Sequence, residues 1–151
     1  MPGMSNKVTE EEVNGFLENK LNIQLATIDE EGYPSIQPLW FLYDKESGKI
    51  YISTQNTTRK IRNLYKNSDK IYFSIDDENF PYKGVKGRGI ARISRDIDLN
   101  IPISEKIILK YLGTLDNPLA HMIMDNSRKG IQVVIEITPK FFSAWDFGKS
   151  M

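Results

Sequence analysis

The chain has 151 residues, with 20 Lys and Arg against 20 Asp and Glu. That balance excludes a blanket basic field for nucleic acid or an anionic membrane, so any anion site has to be local. With no Cys and one His, His121, thiolate catalysis, disulfides, Cys-ligated metals and multi-histidine metal centres are excluded, and no metal site is expected. The length predicts a single domain over 1–151, with residues 1–8 as a flexible tail. No apolar run approaches the roughly 20 residues of a membrane span, and Met1 to Lys7 lacks the apolar stretch of a secretory leader, so a soluble, cytoplasmic protein is expected.

Thr9 followed by Glu12 fits a capping box, and Val13, Phe16, Leu17 and Leu21 recur at helical spacing, which predicts a helix over about Thr9 to Lys20. Asn22 to Ile28, the turn Asp29-Glu30-Glu31-Gly32 and Tyr33 to Tyr43 read as a hairpin. A second turn, Asp44 to Gly48, leads to Lys49–Thr54, and the three strands together predict an antiparallel meander. Thr57 to Tyr65 reads as a short helix capped by threonines, with Ile61, Leu64 and Tyr65 on one face. Lys70 to Ile75 and Tyr82 to Ser94 follow as strands. Gly84, Gly87 and Gly89 in the latter imply bulges or a close backbone approach. Helices over Ser104–Leu112 and Pro118–Asp125 precede a last strand from Gly130 through Pro139 to Phe147. About six strands with an inserted helix and a helical pair predict a mainly β fold, a six-stranded, closed or nearly closed antiparallel barrel with helices outside. A two-layer α+β sandwich is the alternative.

The segment richest in chemistry is Ser53-Thr54-Gln55-Asn56-Thr57-Thr58-Arg59-Lys60-Ile61-Arg62. A helix N-terminus is the positive end of its dipole, so cations there are misplaced by about 0.3–1 kcal/mol each. The placement makes sense if amides, Thr hydroxyls and basic side chains converge on a phosphate. The plainer account is a surface helix whose basic residues meet solvent or pair with Asp69, Asp76 or Glu78. Gln37, in Ser35-Ile36-Gln37-Pro38-Leu39-Trp40-Phe41, would need a partner if buried, because an unsatisfied polar group costs about 1–3 kcal/mol. A flat ring with donors and acceptors along its edge would supply one; a solvent-facing Gln beside a core Trp is the simpler alternative. The closing Phe141-Phe142-Ser143-Ala144-Trp145-Asp146-Phe147 suits either a core or a subunit interface. Lys83, Lys86, Arg88 and Arg92 read as a solvated edge or, less simply, as contacts to a charged substrate. His121, Met122 and Met124 read as packing residues.

The order of segments resembles the pyridoxamine 5′-phosphate oxidase-like, FMN-binding split-barrel family. The residues that carry the resemblance are Leu25-Ala26-Thr27, Pro38-Leu39-Trp40-Phe41, Ile52-Ser53-Thr54, Thr58-Arg59-Lys60-Ile61-Arg62-Asn63-Leu64, Gly87-Arg88-Gly89-Ile90-Ala91 and Trp145-Asp146-Phe147. It runs from about Glu11 to Gly148. It implies a homodimer of six-stranded split barrels with FMN at the subunit interface. Thr58, Arg59 and Lys60 would hold the FMN phosphate and Ser53 and Thr54 would lie against the ribityl chain or ring. The strand from Gln37 through Leu39 to Trp40 would back the isoalloxazine, and Trp145 of the second copy would close the pocket. Lys83, Lys86 and Arg88 are candidate substrate or ring contacts. The implied activity is an oxidoreductase passing hydride or electrons through FMN to or from a small conjugated substrate, with no side chain assigned as acid or base. The chain lacks the Arg-containing C-terminal signature with which pyridoxamine phosphate oxidases hold their substrate, and its ending resembles flavin- and deazaflavin-dependent reductases. A deazaflavin cofactor, or a non-catalytic flavin- or haem-binding dimer, is the alternative.

Overall fold

The computed structural model describes residues 8–150; residues 1–7 of the expected tail lie outside this range, and Val8 is buried in the core. Helix α1, Glu10–Leu17, starts as the capping box requires. The Thr9 hydroxyl accepts from Glu12 N at 3.1 Å and the Glu12 carboxylate reaches back to Thr9 N. Strands β1 (Ile23–Ile28) and β2 (Pro34–Leu39) form the first hairpin, and β3 (Leu42–Asp44) and β4 (Lys49–Gln55) form the second.

The expected meander is therefore broken. The run Tyr33 to Tyr43 is two strands separated at Trp40 and Phe41, which makes seven strands in place of six, in the order β2-β1-β5-β6-β7-β4-β3 with β5 (Ile71–Asp77), β6 (Lys83–Ser94) and β7 (Gln132–Asp146). β4 pairs with β7 as well as β3, not with β2. A flat sheet of seven strands would hold its edges roughly 29 Å apart at ~4.8 Å spacing, yet Leu39 and Leu42 are three Cα steps, at most about 11 Å, apart. The sheet must therefore curl until its two edges meet. No ladder joins β2 to β3, so the barrel is split at that seam, with Trp40 and Phe41 bridging it.

Inside the barrel lie Leu25, Ile50, Ile52, Phe73, Val85, Ile135 and Phe142, from one face of β1, β4, β5, β6 and β7 as the period of two dictates. The three glycines of β6 do mark close approach. A Cβ on Gly87 would sit 2.1 Å from Phe141 O, and one on Gly89 2.3 Å from Thr138 O. The register shifts between Arg88 and Gly89, which brings Gly89 opposite Pro139, a residue with no N–H for the ladder. β6 is an interior strand paired on both sides, so Lys86, Arg88 and Arg92 occupy an outer face rather than the expected edge, while Lys83 stands at the start of the strand.

Helix α2, Arg59–Lys66, packs through Ile61 and Leu64 onto the barrel core, and Asn63 donates to Thr27 Oγ1 at 3.0 Å, both side chains buried. Between β6 and β7 stand α3 (Ile97–Leu112) and α4 (Pro118–Arg128), which share a small second core of Ile108, Ala120 and Met124. α3 begins seven residues before its expected start at Ser104 and carries Pro102 inside it. The Asp96 carboxylate caps Asp98 N and Leu99 N, and Asn100 donates to Ser94 O at 2.8 Å, which anchors the turn ahead of the proline. A 3-10 turn, Phe147–Ser150, closes the described chain.

Candidate functional site

The end of β4 feeds directly into α2, so Ser53, Thr54 and the start of α2 are placed by one continuous stretch. Thr58 is the N-cap, but its hydroxyl donates to Gln55 O at 3.1 Å and does not close the helix. The first-turn amides are left without a side-chain cap, and no acidic residue stands in that turn. Lys60 turns inward and is buried, with 8% of its surface exposed, and its Nζ donates to Gln37 Oε1 on β2 at 3.1 Å. Burial pushes this ammonium below the ordinary lysine range. Arg59 is exposed and borders a cleft with Arg62, Asn63 and the turn Asp29, Glu30 and Glu31. Among the described residues no salt bridge involves Arg59, Lys60 or Arg62, so the pairing with Asp69, Asp76 or Glu78 does not form; the nearby contact is Lys66 to Glu30 at 3.9 Å. A buried cation that meets only a neutral amide oxygen is costly, since a buried charge is normally paired.

Gln37 is exposed on β2, opposite Leu25, and β2 is the least covered strand of the sheet. It is thus not buried on two faces, and its partner is Lys60. Two residues along, Leu39 and Trp40 join Asn22, Pro38, Ser53 and Leu119 around a cleft of about 380 Å³ at the seam, with no charged residue in its lining. Trp40 is stacked on Tyr111 of α3, ring centroids 4.8 Å apart and planes 3° from parallel. Successive strand residues face opposite ways. Ser53 points outward to Ser104, hydroxyl to hydroxyl at 2.9 Å, while Thr54 is buried on the other face. The two side chains therefore do not line one surface together.

Trp145 is on the far side of the sheet order from β2. Within one chain it lines a crevice with Phe16, Val13 and Lys83, where its ring fills the space a Cβ on Gly84 would need, 2.4 Å away. Lys86 and Arg88 project from the outer face of β6 opposite Ser143 and Phe141, and the Arg88 guanidinium lies 5.9 Å over the Phe141 ring; Lys83, of the other parity, shares the side of Val85 and stays with the Trp145 crevice. None of these lines the cleft of Trp40 or that of Arg59. His121 is exposed, 3.6 Å from Asp116; Met124 packs in the second core while Met122 is exposed. No group of three metal-ligating side chains exists among the described residues, and no helix there is long and apolar enough to cross a membrane.

Sequence reading missed Tyr111 and Lys110, at the end of α3. Their partners lie about 70 to 90 positions away, and nothing local marks them. Tyr111 OH donates to Leu21 O at 2.6 Å and accepts from Phe41 N at 3.2 Å. Lys110 Nζ donates to Phe41 O at 3.0 Å and Leu17 O at 3.3 Å and stands 3.7 Å over the Phe41 ring. Burial pulls the Lys110 ammonium down to about 8, against an opposing pull from Glu18, and pushes the Tyr111 phenol up to about 12.

A mainly β antiparallel sheet with peripheral helices, split at one seam, is the expected fold class, and solved structures share it. The conserved hypothetical protein Rv2991 of Mycobacterium tuberculosis superposes with a TM-score of 0.82 at 21% identity, over 97% of this chain and 91% of that one. An F420 reductase gives 0.69 at 26% identity, over 86% and 94%. HutZ, a haem storage protein of Vibrio cholerae, gives 0.68 at 17%, over 92% and 94%. The family model for pyridoxamine 5′-phosphate oxidase matches residues 9–146, and the chain belongs to that family. No curated protein matches the sequence.

Proposed function

We propose that the chain is an FMN-binding oxidoreductase that works as a homodimer, with the cofactor phosphate at the start of α2. The observation that carries this reading is Lys60, a buried ammonium with no carboxylate, beside an uncapped helix start with two further unpaired cations. A dianionic phosphate fits that donor set, meeting the amides, Thr58, Arg59 and Lys60 together. The uncharged seam cleft suits the flat ring, with Leu39, Trp40 and one face of β4 as its wall. Bound flavin supplies hydride and electron transfer, chemistry that side chains alone do not provide. This chain's own part is to bind the phosphate, orient the ring against the seam and exclude water from it. Electron transfer is to or from a small conjugated substrate, with Lys83, Lys86 and Arg88 as its candidate contacts.

The dimer reading draws on the outer face of β2, β1, β5 and β6. Among the described residues no helix covers the row Ile36, Ala26, Tyr72 and Arg88, and Ile36 and Tyr72 are exposed at 63% and 42%. A second copy on that face would bring its own Trp145 toward the cleft. A deazaflavin cofactor is the second reading, favoured by the 26% identity to the F420 reductase.

The test is the visible spectrum of the protein as isolated, followed by thermal melts with added FMN or deazaflavin, since a bound ligand raises stability by mass action. A yellow protein stabilised by FMN supports the first reading, and stabilisation by deazaflavin alone selects the second. A colourless protein that neither ligand stabilises overturns both. Arg59→Ala with Lys60→Ala is expected to lose the flavin while keeping the dimer.

A further inference from the structure

The cleft wall at the seam has no sheet behind it. β2 and β3 share no ladder, so the backbone groups of Phe41 cannot be satisfied as strand residues are, and an unpaired buried amide or carbonyl is costly. Tyr111 and Lys110, neighbours on the last turn of α3, take over that work. The Phe41 amide donates to the Tyr111 hydroxyl, and the Phe41 carbonyl accepts from Lys110. The hydroxyl's own proton goes to Leu21 O, just before β1, and Lys110 also reaches Leu17 O at the end of α1. The three N–H bonds of the ammonium thus have three receivers, two carbonyls and the face of the Phe41 ring. The Tyr111 ring lies flat on Trp40.

We propose that Lys110 and Tyr111 are positioning residues for the ring-binding cleft: together they form a clamp that fixes the Trp40 indole at the seam, although neither lines the cleft. This rests on the reading of that cleft as the ring site. It assigns the helical pair between β6 and β7 a part in binding, because its first helix supplies both clamp residues and its second supplies Leu119 to the cleft. Side chains whose rotamers are fixed in advance lose less entropy when a ligand stacks on them, so a loosened Trp40 should weaken ring binding without altering the phosphate end.

The experiment has two arms. In the first, on ligand-free Trp145→Phe protein, Trp40 is the sole indole and near-ultraviolet circular dichroism reports its setting. Tyr111→Leu, which removes stack and hydroxyl, should abolish the Trp40 signal; Lys110→Met and Tyr111→Phe, which keep the stack, should reduce it. In the second, with Trp145 native, FMN titration should show about tenfold weaker binding for Tyr111→Leu, a loss of about 1.4 kcal/mol, and smaller losses for the other two. Met124→Ala, which opens the second core without removing a clamp or cleft residue, is the control. It should lower the melting temperature while leaving Trp40 signal and FMN affinity as they were. The clamp is overturned if the Trp40 signal survives Tyr111→Leu, or if Met124→Ala disturbs it equally. Should Tyr111→Leu fail to fold, Tyr111→Phe and Lys110→Met decide by the same criteria. If the native protein binds no FMN, the cofactor reading fails and the first arm still decides the clamp.

Discussion

The two ends of the candidate site are built in opposite ways. At the start of α2 the chemistry is held in a few consecutive residues, Thr58 to Arg62, and the fold adds one long-range contact, Gln37 to Lys60. At the seam almost nothing is consecutive: Trp40 and Phe41 are held by Lys110 and Tyr111 of α3, which in turn donate to the carbonyls of Leu17 at the end of α1 and Leu21 beyond it. One end is charged and legible as a motif, and the other is neutral and exists only once the barrel has curled. Charge can be concentrated locally because a helix start already orients its amides, whereas a flat apolar wall needs packing from several directions.

That contrast can be broken or sharpened by substitution. The largest effect is expected at the charged end. Arg59→Ala with Lys60→Ala removes two charge-assisted contacts, each worth about 1.5–3 kcal/mol, and FMN affinity measured by flavin fluorescence should fall a hundredfold or more. Lys60→Met alone should weaken FMN binding yet leave the ligand-free urea midpoint unchanged or higher, because it deletes a buried cation with no counter-charge. Asn63→Ala strands the buried Thr27 hydroxyl and should cost about 2 kcal/mol in urea unfolding. Thr9→Ala removes the α1 capping box, whose residues line neither cleft, and should cost about 1 kcal/mol with FMN affinity unchanged.

The seam carries a pH response as well. Lys110 in the folded chain titrates near 8, below its ordinary 10.5, so between those values the unfolded chain binds more protons and stability rises with pH. Tyr111, pushed up to about 12, acts in the opposite sense from about pH 10 upward. The clean window is therefore pH 8 to 10, in which urea midpoints should rise for the native chain and stay flatter for Lys110→Met.

The legible parts of this fold are those with short-range causes. Thr9 and Glu12 announced α1, and the glycines at 84, 87 and 89 announced the close approach of β6 to β7, because each constraint is a property of one residue and its near neighbours. The break at Trp40 was illegible: a run of branched and aromatic residues reads as one strand, and only the closure of the whole sheet requires it to be two. Pro102 suppressed the first turns of α3 in the same way, since a proline reads as a boundary unless the anchoring of Asp96 and Asn100 is known. The outward turn of Ser53 and inward turn of Thr54 depend on which face of β4 meets α3, which periodicity over six residues leaves open.

Phosphate binding at the start of α2 can be separated from ring binding in one measurement. Isothermal titration of FMN against riboflavin, which carries the same ring without the phosphate, tests it on the native chain and on the Arg59→Ala, Lys60→Ala variant. FMN should bind the native chain at least a hundredfold more tightly than riboflavin, about 2.7 kcal/mol, and the gap should close in the variant. Equal affinities for the two ligands, or a gap that persists without Arg59 and Lys60, would contradict phosphate binding there.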